Sequence, residues 1–582
     1  MKLRSFLFTL AIGAIALLLT AVGGFFWLTS QSPLNLLQGG TMATSSAAIF
    51  VPKEAPITVS LLISPDRLEA FRQVVAQPVT RRQTRIELKQ IEKTLLAAID
   101  ADLDYRRDIQ PWLGDEITLA VTSLDFDHNR DNAAQPGYLL VLTTKDPEKT
   151  REFLQLYYSE QTIAGSEDLV FEQYKGVNLI YKRPPTKFGK YLASSELDER
   201  GKTLTVAMVG DRFVLFANHP KVLKDAINNV QVADLNLAND PTYQQTLQSL
   251  TEPRIGLSFV NLPALGAWIA NQPAEREDNL LSSQTLALSF SLKRQGLLAQ
   301  TAIAGLQTNS ESTQPTLSGP VKALQYIPAE SSLAIAGTDL NQFWHRLSAS
   351  LAKEKTLKFL LDQSLASLES DLDIQLPEEV FSWVQGEYAL SLLPGAEPAN
   401  LGWVFVAERT LGDESETAIK HLDEVAKGQG LSVGSLSLEQ QPITAWTKLS
   451  TSTTFPSKKK RAVSLEAKVQ GVHATVGNYE IFGSSIEAID KALAGKANSL
   501  LETDQFRGAI ASLPEPNDGY FYLDWTSSES FIQQQLPIVR VAQLLLKPLF
   551  NHLDSLSISS YGIENGIQRS QLFIGLDKSN QA

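Results

Sequence analysis

The chain has no cysteine in 582 residues. Disulfides, thiolate catalysis, cysteine-ligated zinc, iron–sulfur clusters and a lipid-modified N-terminal cysteine are therefore excluded on chemical grounds. Histidine is sparse: His128, His219, His345, His421, His473 and His552 form neither an HExxH helix nor an i, i+4 pair, so no metal helix follows from spacing. A Gly-x-Ser-x-Gly elbow is missing too. Gly201-Lys202-Thr203 looks like the end of a phosphate loop, but Glu196 stands where that loop needs its earlier glycine, and a hairpin turn is the better reading. Positive charge is in deficit: the net charge is -13, which argues against a nucleic-acid partner, whose phosphates need a basic face.

Charge is also absent from one long stretch. Between Arg4 and Lys53 no side chain is charged, and Phe6 to Leu28 is almost continuously apolar. At about 1.5 Å per helical residue such a run crosses a hydrocarbon core of about 30 Å. Lys2 and Arg4 precede it, so the positive-inside rule places residues 1–4 in the cytoplasm, 5–28 in the membrane and the bulk of the chain outside. The run exceeds a signal-peptide core and no small-x-small site follows Leu28, which makes it an uncleaved anchor. Residues 29–47, rich in Gly, Ser and Thr, read as a flexible tether.

Beyond the tether the chain repeats itself at a spacing near 270 residues. Phe50-Val51-Pro52 resembles Tyr326-Ile327-Pro328. Asp102-Leu103-Asp104, Trp112 and Glu116 recur as Asp371-Leu372-Asp373, Trp383 and Glu387. Val209-Gly210-Asp211 with Phe213 to Phe216 resembles Val476-Gly477-Asn478 with Glu480 to Gly483, and the stretch around Gly296 resembles that around Gly566. The units so defined are 48–312 and 320–580, with 313–319 as linker. A single asymmetric site then belongs either between the copies or in features that one copy lacks.

Within the first unit, Ile57 to Ile63 predicts a strand and helices follow at 65–75 and 83–99. A strand at Tyr138 to Thr143 leads into a helix opened by Asp146-Pro147, with Phe153, Leu156 and Tyr157 facing inward. Hairpins at 169–181 and 204–216, helices at 220–230 and 241–250, a strand at 255–260 and the Gly296 hairpin complete it. Such interleaving predicts an α+β fold, a tandem duplication of a mixed, largely antiparallel sheet with helices, behind one N-terminal transmembrane helix.

Few residues invite a functional reading. Asp125, Asp127, Asn129 and Asp131 alternate like calcium ligands, but Arg130 replaces the turn glycine and Pro136 the bidentate glutamate, which leaves a solvated loop. Trp112 with Glu116, and Trp383 with Glu387, recur at equal spacing and read as an aromatic plug at a helix-to-strand junction. Two basic excursions, Lys182, Arg183, Lys187 and Lys190 in one unit and Lys458, Lys459, Lys460 and Arg461 in the other, suit an anionic surface such as lipid headgroups; as solvated hairpin tips they would only keep the chain soluble.

With Phe50 to Lys53, Leu61-Leu62, Leu68 and the run Asp104-Tyr105-Arg106-Arg107-Asp108-Ile109-Gln110-Pro111-Trp112-Leu113-Gly114-Asp115-Glu116, the chain resembles a cyanobacterial family known only as a domain of unknown function. The resemblance implies a photosynthetic bacterium, with the exported bulk in the periplasm or the thylakoid lumen, and it transfers no catalytic residue. The preferred expectation is a non-enzymatic, membrane-anchored binding or scaffolding protein with a protein partner, no cofactor and no metal. The alternative is an enzyme or carrier for a small hydrophobic ligand held between the two units.

Overall fold

A computed structural model describes residues 41–63, 104–127, 135–163, 169–182, 204–265, 284–293, 296–305, 315, 317–351, 369, 374–394, 402–409, 413–438, 440–457, 460–495, 498–535, 550 and 553–576. The apolar run 5–28 and the helices expected at 65–75 and 83–99 lie outside these residues. Among the described residues no helix is long and apolar enough to cross a membrane.

In the first half the strands are β1 (Ile57–Leu61), β2 (Leu113–Ser123), β3 (Gly137–Thr144), β4 (Leu169–Tyr174), β5 (Val177–Lys182), β6 (Thr205–Val209), β7 (Phe213–Ala217), β8 (Gly256–Asn261), β9 (Thr285–Lys293) and β10 (Gly296–Ala304). The second half supplies β11 (Leu333–Thr338), β12 (Glu387–Leu393), β13 (Gly402–Glu408), β14 (Ser432–Leu438), β15 (Gln441–Ser457), β16 (Lys460–Val476), β17 (Tyr479–Gly483), β18 (Gly519–Asp524), β19 (Leu553–Glu564) and β20 (Ile567–Leu576). All pair antiparallel in one continuous sheet. Its order is β4-β5-β6-β7-β3-β2-β1-β8-β9-β10, then β20-β19-β18-β11-β12-β13-β17-β16-β15-β14. The second ten strands thus repeat the neighbour order of the first ten, in reverse across the join. The fold is mixed α+β built on a large antiparallel sheet.

Local chemistry explains the turns and helix starts. Lys175-Gly176 and Asn565-Gly566 both take positive φ (49° and 82°, 52° and 75°), the conformation that closes a two-residue hairpin with the sheet's own twist. Among the described residues the first half contributes the helices α1 (Pro147–Ile163), α2 (Pro220–Gln231) and α3 (Pro241–Gln248), and the second half α4 (Leu340–Leu351), α5 (Asp413–Gly428), α6 (Ile486–Leu493), α7 (Asp504–Ile510) and α8 (Trp525–Gln535). His219-Pro220 and Asp240-Pro241 place a side-chain acceptor and a first-turn proline where α2 and α3 begin, so orphan N–H groups are satisfied locally. On one face of the first half, Val222, Leu223, Ala226 and Ile227 of α2 pack on Leu139, Val141 and Leu215. On the other, Leu154 and Tyr158 of α1 and Trp112 cover Leu142, Val206, Val214 and Phe216. Leu156, expected to face inward, is exposed, because the buried stripe runs through Leu154 and Tyr158 at i, i+4 and Leu156 points away from it. Of the last residues read as tether, Ser45 and Ala47 are buried in the body and Ser46 is half-buried.

The two halves meet edge to edge. β10 pairs with β20 without interruption from Gly296↔Gly575 to Ile303↔Gln568. A shared apolar core backs the join, with Ile57, Val59, Phe290 and Leu297 on one side and Leu523, Trp525, Ile574 and Leu576 on the other. At its end Gly296 lies so close to the neighbouring strand that a β-carbon there would sit 2.0 Å from the Ile574 carbonyl oxygen, a backbone atom that cannot swing aside. Gly296→Ala is therefore expected to cost about 1–3 kcal/mol and to loosen this join first. Hydrogen exchange checks it: amides of β10 should lose protection while those of β3 keep theirs, and equal protection of both in the variant would refute it.

Candidate functional site

Two acids recur at equivalent places, Glu116 buried and Glu387 half-buried. Glu116, at the start of β2, accepts from Ser45 Oγ (2.6 Å), Ser46 N (3.0 Å), Ser46 Oγ, Ala47 N (3.1 Å) and Thr118 Oγ1 (3.1 Å). It thereby caps the single helical turn Ser46–Phe50, whose first N–H groups have no partner within the turn. Glu387, at the start of β12, accepts from Ala323 N (3.1 Å) at the turn Lys322–Tyr326 and from Tyr479 Oη (2.8 Å). Trp112 and Trp383 are buried where a short helical segment runs into a strand, and Trp112 Nε1 donates to the Asp108 carbonyl at 2.7 Å. These pairs close the core at the two junctions.

A third cluster is confined to the second half and centres on His473 of β16. Its Nδ1 lies 2.6 Å from Glu480 Oε1 on β17 and its Nε2 lies 3.2 Å from Asp423 Oδ1 on α5. Trp446 Nε1 on β15 donates to the same Asp423 oxygen (2.7 Å), and Thr475 Oγ1 donates to Glu480 Oε2 (2.7 Å). Phe482 stacks on the imidazole at 5.5 Å, and Gly471 leaves room for the Trp446 ring to lie across the backbone. His473 and Glu480 are buried. Burial alone would drive the imidazole toward its neutral form, but the Glu480 and Asp423 carboxylates outweigh it and hold the pKa above the usual histidine value. Both ring nitrogens are committed to carboxylates, so the arrangement is an ionic lock that ties α5 to β15, β16 and β17; neither nitrogen is left to take a proton from a substrate.

Among the described residues the first half has no such cluster. Strand pairing aligns His473 with Val206 and Glu480 with Val214. The turn after Gly477 is one residue shorter than that after Gly210, so Tyr479 to Gly483 superpose on Phe213 to Ala217, one position off the match drawn from sequence. Spacing of histidines alone misses this site. Its signal was a difference between copies: histidine and glutamate in the second where the first is apolar.

The outer face of α5 borders a groove of about 500 Å3 lined by Glu378, Glu379, Glu414, Trp383 and His421, with His421 Nε2 3.6 Å from Glu379 Oε1. Among the described residues no three His, Asp or Glu side chains are grouped to hold a metal ion. Of the loop residues considered for calcium, Asp125 accepts from Gln135 N (3.2 Å) and Phe126 stacks on His219 at 4.4 Å; Asn129 and Asp131 lie outside the described residues, as do Gly201, Lys202 and Thr203.

The basic excursions fall at equivalent hairpins. Lys182 ends β5, which pairs with β6, and Lys460 and Arg461 begin β16, which pairs with β15. Arg183, Lys187, Lys190, Lys458 and Lys459 lie outside the described residues. β15 and β16 have 17 residues each, but β14 flanks β15 only as far as Thr447 and β17 flanks β16 only from Val472. Among the described residues the rest of the hairpin pairs with nothing but itself, which makes a two-stranded ribbon reaching about 30 Å beyond the sheet.

The family model described as Protein of unknown function (DUF3352) matches residues 10–576. The chain belongs to this family. No curated protein matches it. Two solved structures are similar over part of the chain, crystal forms I and III of TP0453, at 9% and 10% identity and TM-scores of 0.23 and 0.22; each covers 46% of this chain, and 81% and 83% of the other. Such scores carry no argument about fold or function.

Proposed function

We propose that this member of the family is a membrane-anchored, extracytoplasmic binding or scaffolding protein, built by tandem duplication and without catalysis of its own. The anchor rests on the uncharged run 5–28 behind Lys2 and Arg4. Duplication is supported by the repeated strand order and by the paired acids Glu116 and Glu387. The cyanobacterial resemblance favours the periplasm or thylakoid lumen, where assembly or maintenance of envelope or thylakoid complexes would be its setting. The observation that carries the reading is the β15–β16 ribbon: an arm held at its base by the His473 lock, with Lys460 and Arg461 opening β16 at its far end and Lys458 and Lys459 preceding them in the sequence. The equivalent hairpin, with Lys182, Arg183, Lys187 and Lys190, offers a second cationic contact for an acidic partner or anionic headgroups.

The alternative, a carrier for a small hydrophobic ligand between the halves, is disfavoured by the uninterrupted β10–β20 pairing and the packed core behind it. Crosslinking and affinity purification from native membranes, anchor intact, separates the two. Wild-type chain should bring down reproducible protein partners, and replacing the four basic tip residues by glutamate should deplete them several-fold. A co-purifying small molecule, with no partner sensitive to the tip charges, would favour the carrier and defeat the proposal.

A further inference from the structure

The sheet ends in open edges, and one of them lacks the features that normally protect an edge. β14 has β15 on one side and, among the described residues, no strand on the other. Its sequence, Ser-Val-Gly-Ser-Leu-Ser-Leu, holds no charge and no proline, and its register with β15 runs from Ser432↔Thr447 to Leu438↔Gln441 without a bulge. Ser432 and Gly434 to Ser437 are exposed, so among the described residues nothing covers the strand, and Leu436 is 48% exposed. Edges are usually guarded by an inward charge, a proline, a bulge or extreme shortness; a flat uncharged edge is a template for another strand. At the far end of the sheet β4 differs, since it carries Glu172 in an ion pair with Lys224.

We infer that β14 pairs antiparallel with β14 of a second copy, on a two-fold axis through Ser435. Such pairing of identical strands is self-complementary and closes as a dimer. It sets Leu436 opposite the partner copy's Gly434 and Leu438 opposite its Ser432, so each leucine meets a small residue across the strands. Gly434 has nothing within 4 Å of where a side chain would begin, which leaves the space that leucine needs. With no charge on either strand there is no repulsion to overcome. The chain already builds its own sheet this way, by joining two edge strands antiparallel at β10 and β20. The inference goes beyond the scaffolding reading and does not depend on it, since a carrier could dimerise through the same edge.

The absence of native cysteine makes the register testable with a single thiol. Full-length chain in its native membrane, carrying Ser435→Cys, should form a disulfide-linked homodimer under mild oxidation, because directly opposed residues lie within disulfide range. Ser432→Cys serves as the register control: its two thiols would be six residues apart along the ribbon, roughly 20 Å, so about tenfold less dimer is expected. Ser435→Lys, which places two like charges on the axis of an exposed site, should shift the detergent-solubilised chain toward monomer in sedimentation. Equal crosslinking of the two cysteine variants, no crosslinking of either, or linkage of Ser435→Cys to a different polypeptide would each overturn self-pairing. None of these outcomes bears on whether basic-tip partners are recovered.

Discussion

Replacing Glu116 by alanine is expected to cost the first half about 3–4 kcal/mol, because the loss strands several donors at once. Two backbone N–H groups, those of Ser46 and Ala47, and the hydroxyls of Ser45, Ser46 and Thr118 all give to this one carboxylate. Water cannot readily replace it, since Ser45, Ala47 and Thr118 are buried with it. Glu116→Gln keeps one carbonyl oxygen and should recover roughly half of the loss. Glu387→Ala removes only two hydrogen bonds at a half-buried site and should cost about 1–2 kcal/mol. Urea denaturation followed by tryptophan fluorescence ranks the three. A Glu116→Ala loss no larger than that of Glu387→Ala would show that the cap is dispensable.

Glu480→Ala is expected to destabilise the second half by a similar margin, about 3–5 kcal/mol, by leaving the His473 imidazolium buried beside a missing partner. The same variant should change the pH profile. Because the folded state holds the His473 pKa above its unfolded value near 6.5, its contribution is complete below about pH 6.5 and disappears as pH rises through the folded pKa. Wild-type stability should therefore decline on the alkaline side of that window, relative to a variant without the lock. The double variant H473V/E480V, which installs the valines found at Val206 and Val214, should recover most of the stability of Glu480→Ala and lack this alkaline decline. A double variant as pH-sensitive as wild type would place the titrating group elsewhere.

Much of the architecture is legible in the residues because alternation and turn glycines are local signals. Gly176, Gly210, Gly477 and Gly566 mark hairpins that occur where expected. The proline-led starts of α1, α2 and α3 follow from caps written into three or four adjacent residues. What escaped depends on distance along the chain. Ser45 to Ala47 look like linker because small polar residues suit both a tether and a helical turn capped from 70 residues away. The His473 lock draws on α5, β15, β16 and β17, and no spacing rule connects Asp423 with His473 and Trp446. Which edges of the two units join is likewise silent, since neither Gly-Leu-Leu-Ala-Gln-Thr-Ala-Ile-Ala in β10 nor Ile-Gln-Arg-Ser-Gln-Leu-Phe-Ile-Gly-Leu in β20 carries a local signal that names its partner strand.

The pairing of β10 with β20 also fixes a sequence of events during synthesis. β10 is complete at Ala304, but its partner β20 begins only at Ile567, so its outer edge waits for about 260 further residues, roughly 13–50 s at ordinary elongation rates. Over that interval the nascent first half presents a long unsatisfied row of amides to whatever surrounds it. A chaperone that shields such a row, or slow release of the C-terminal residues, governs how much newly made chain closes on itself instead of on a neighbour.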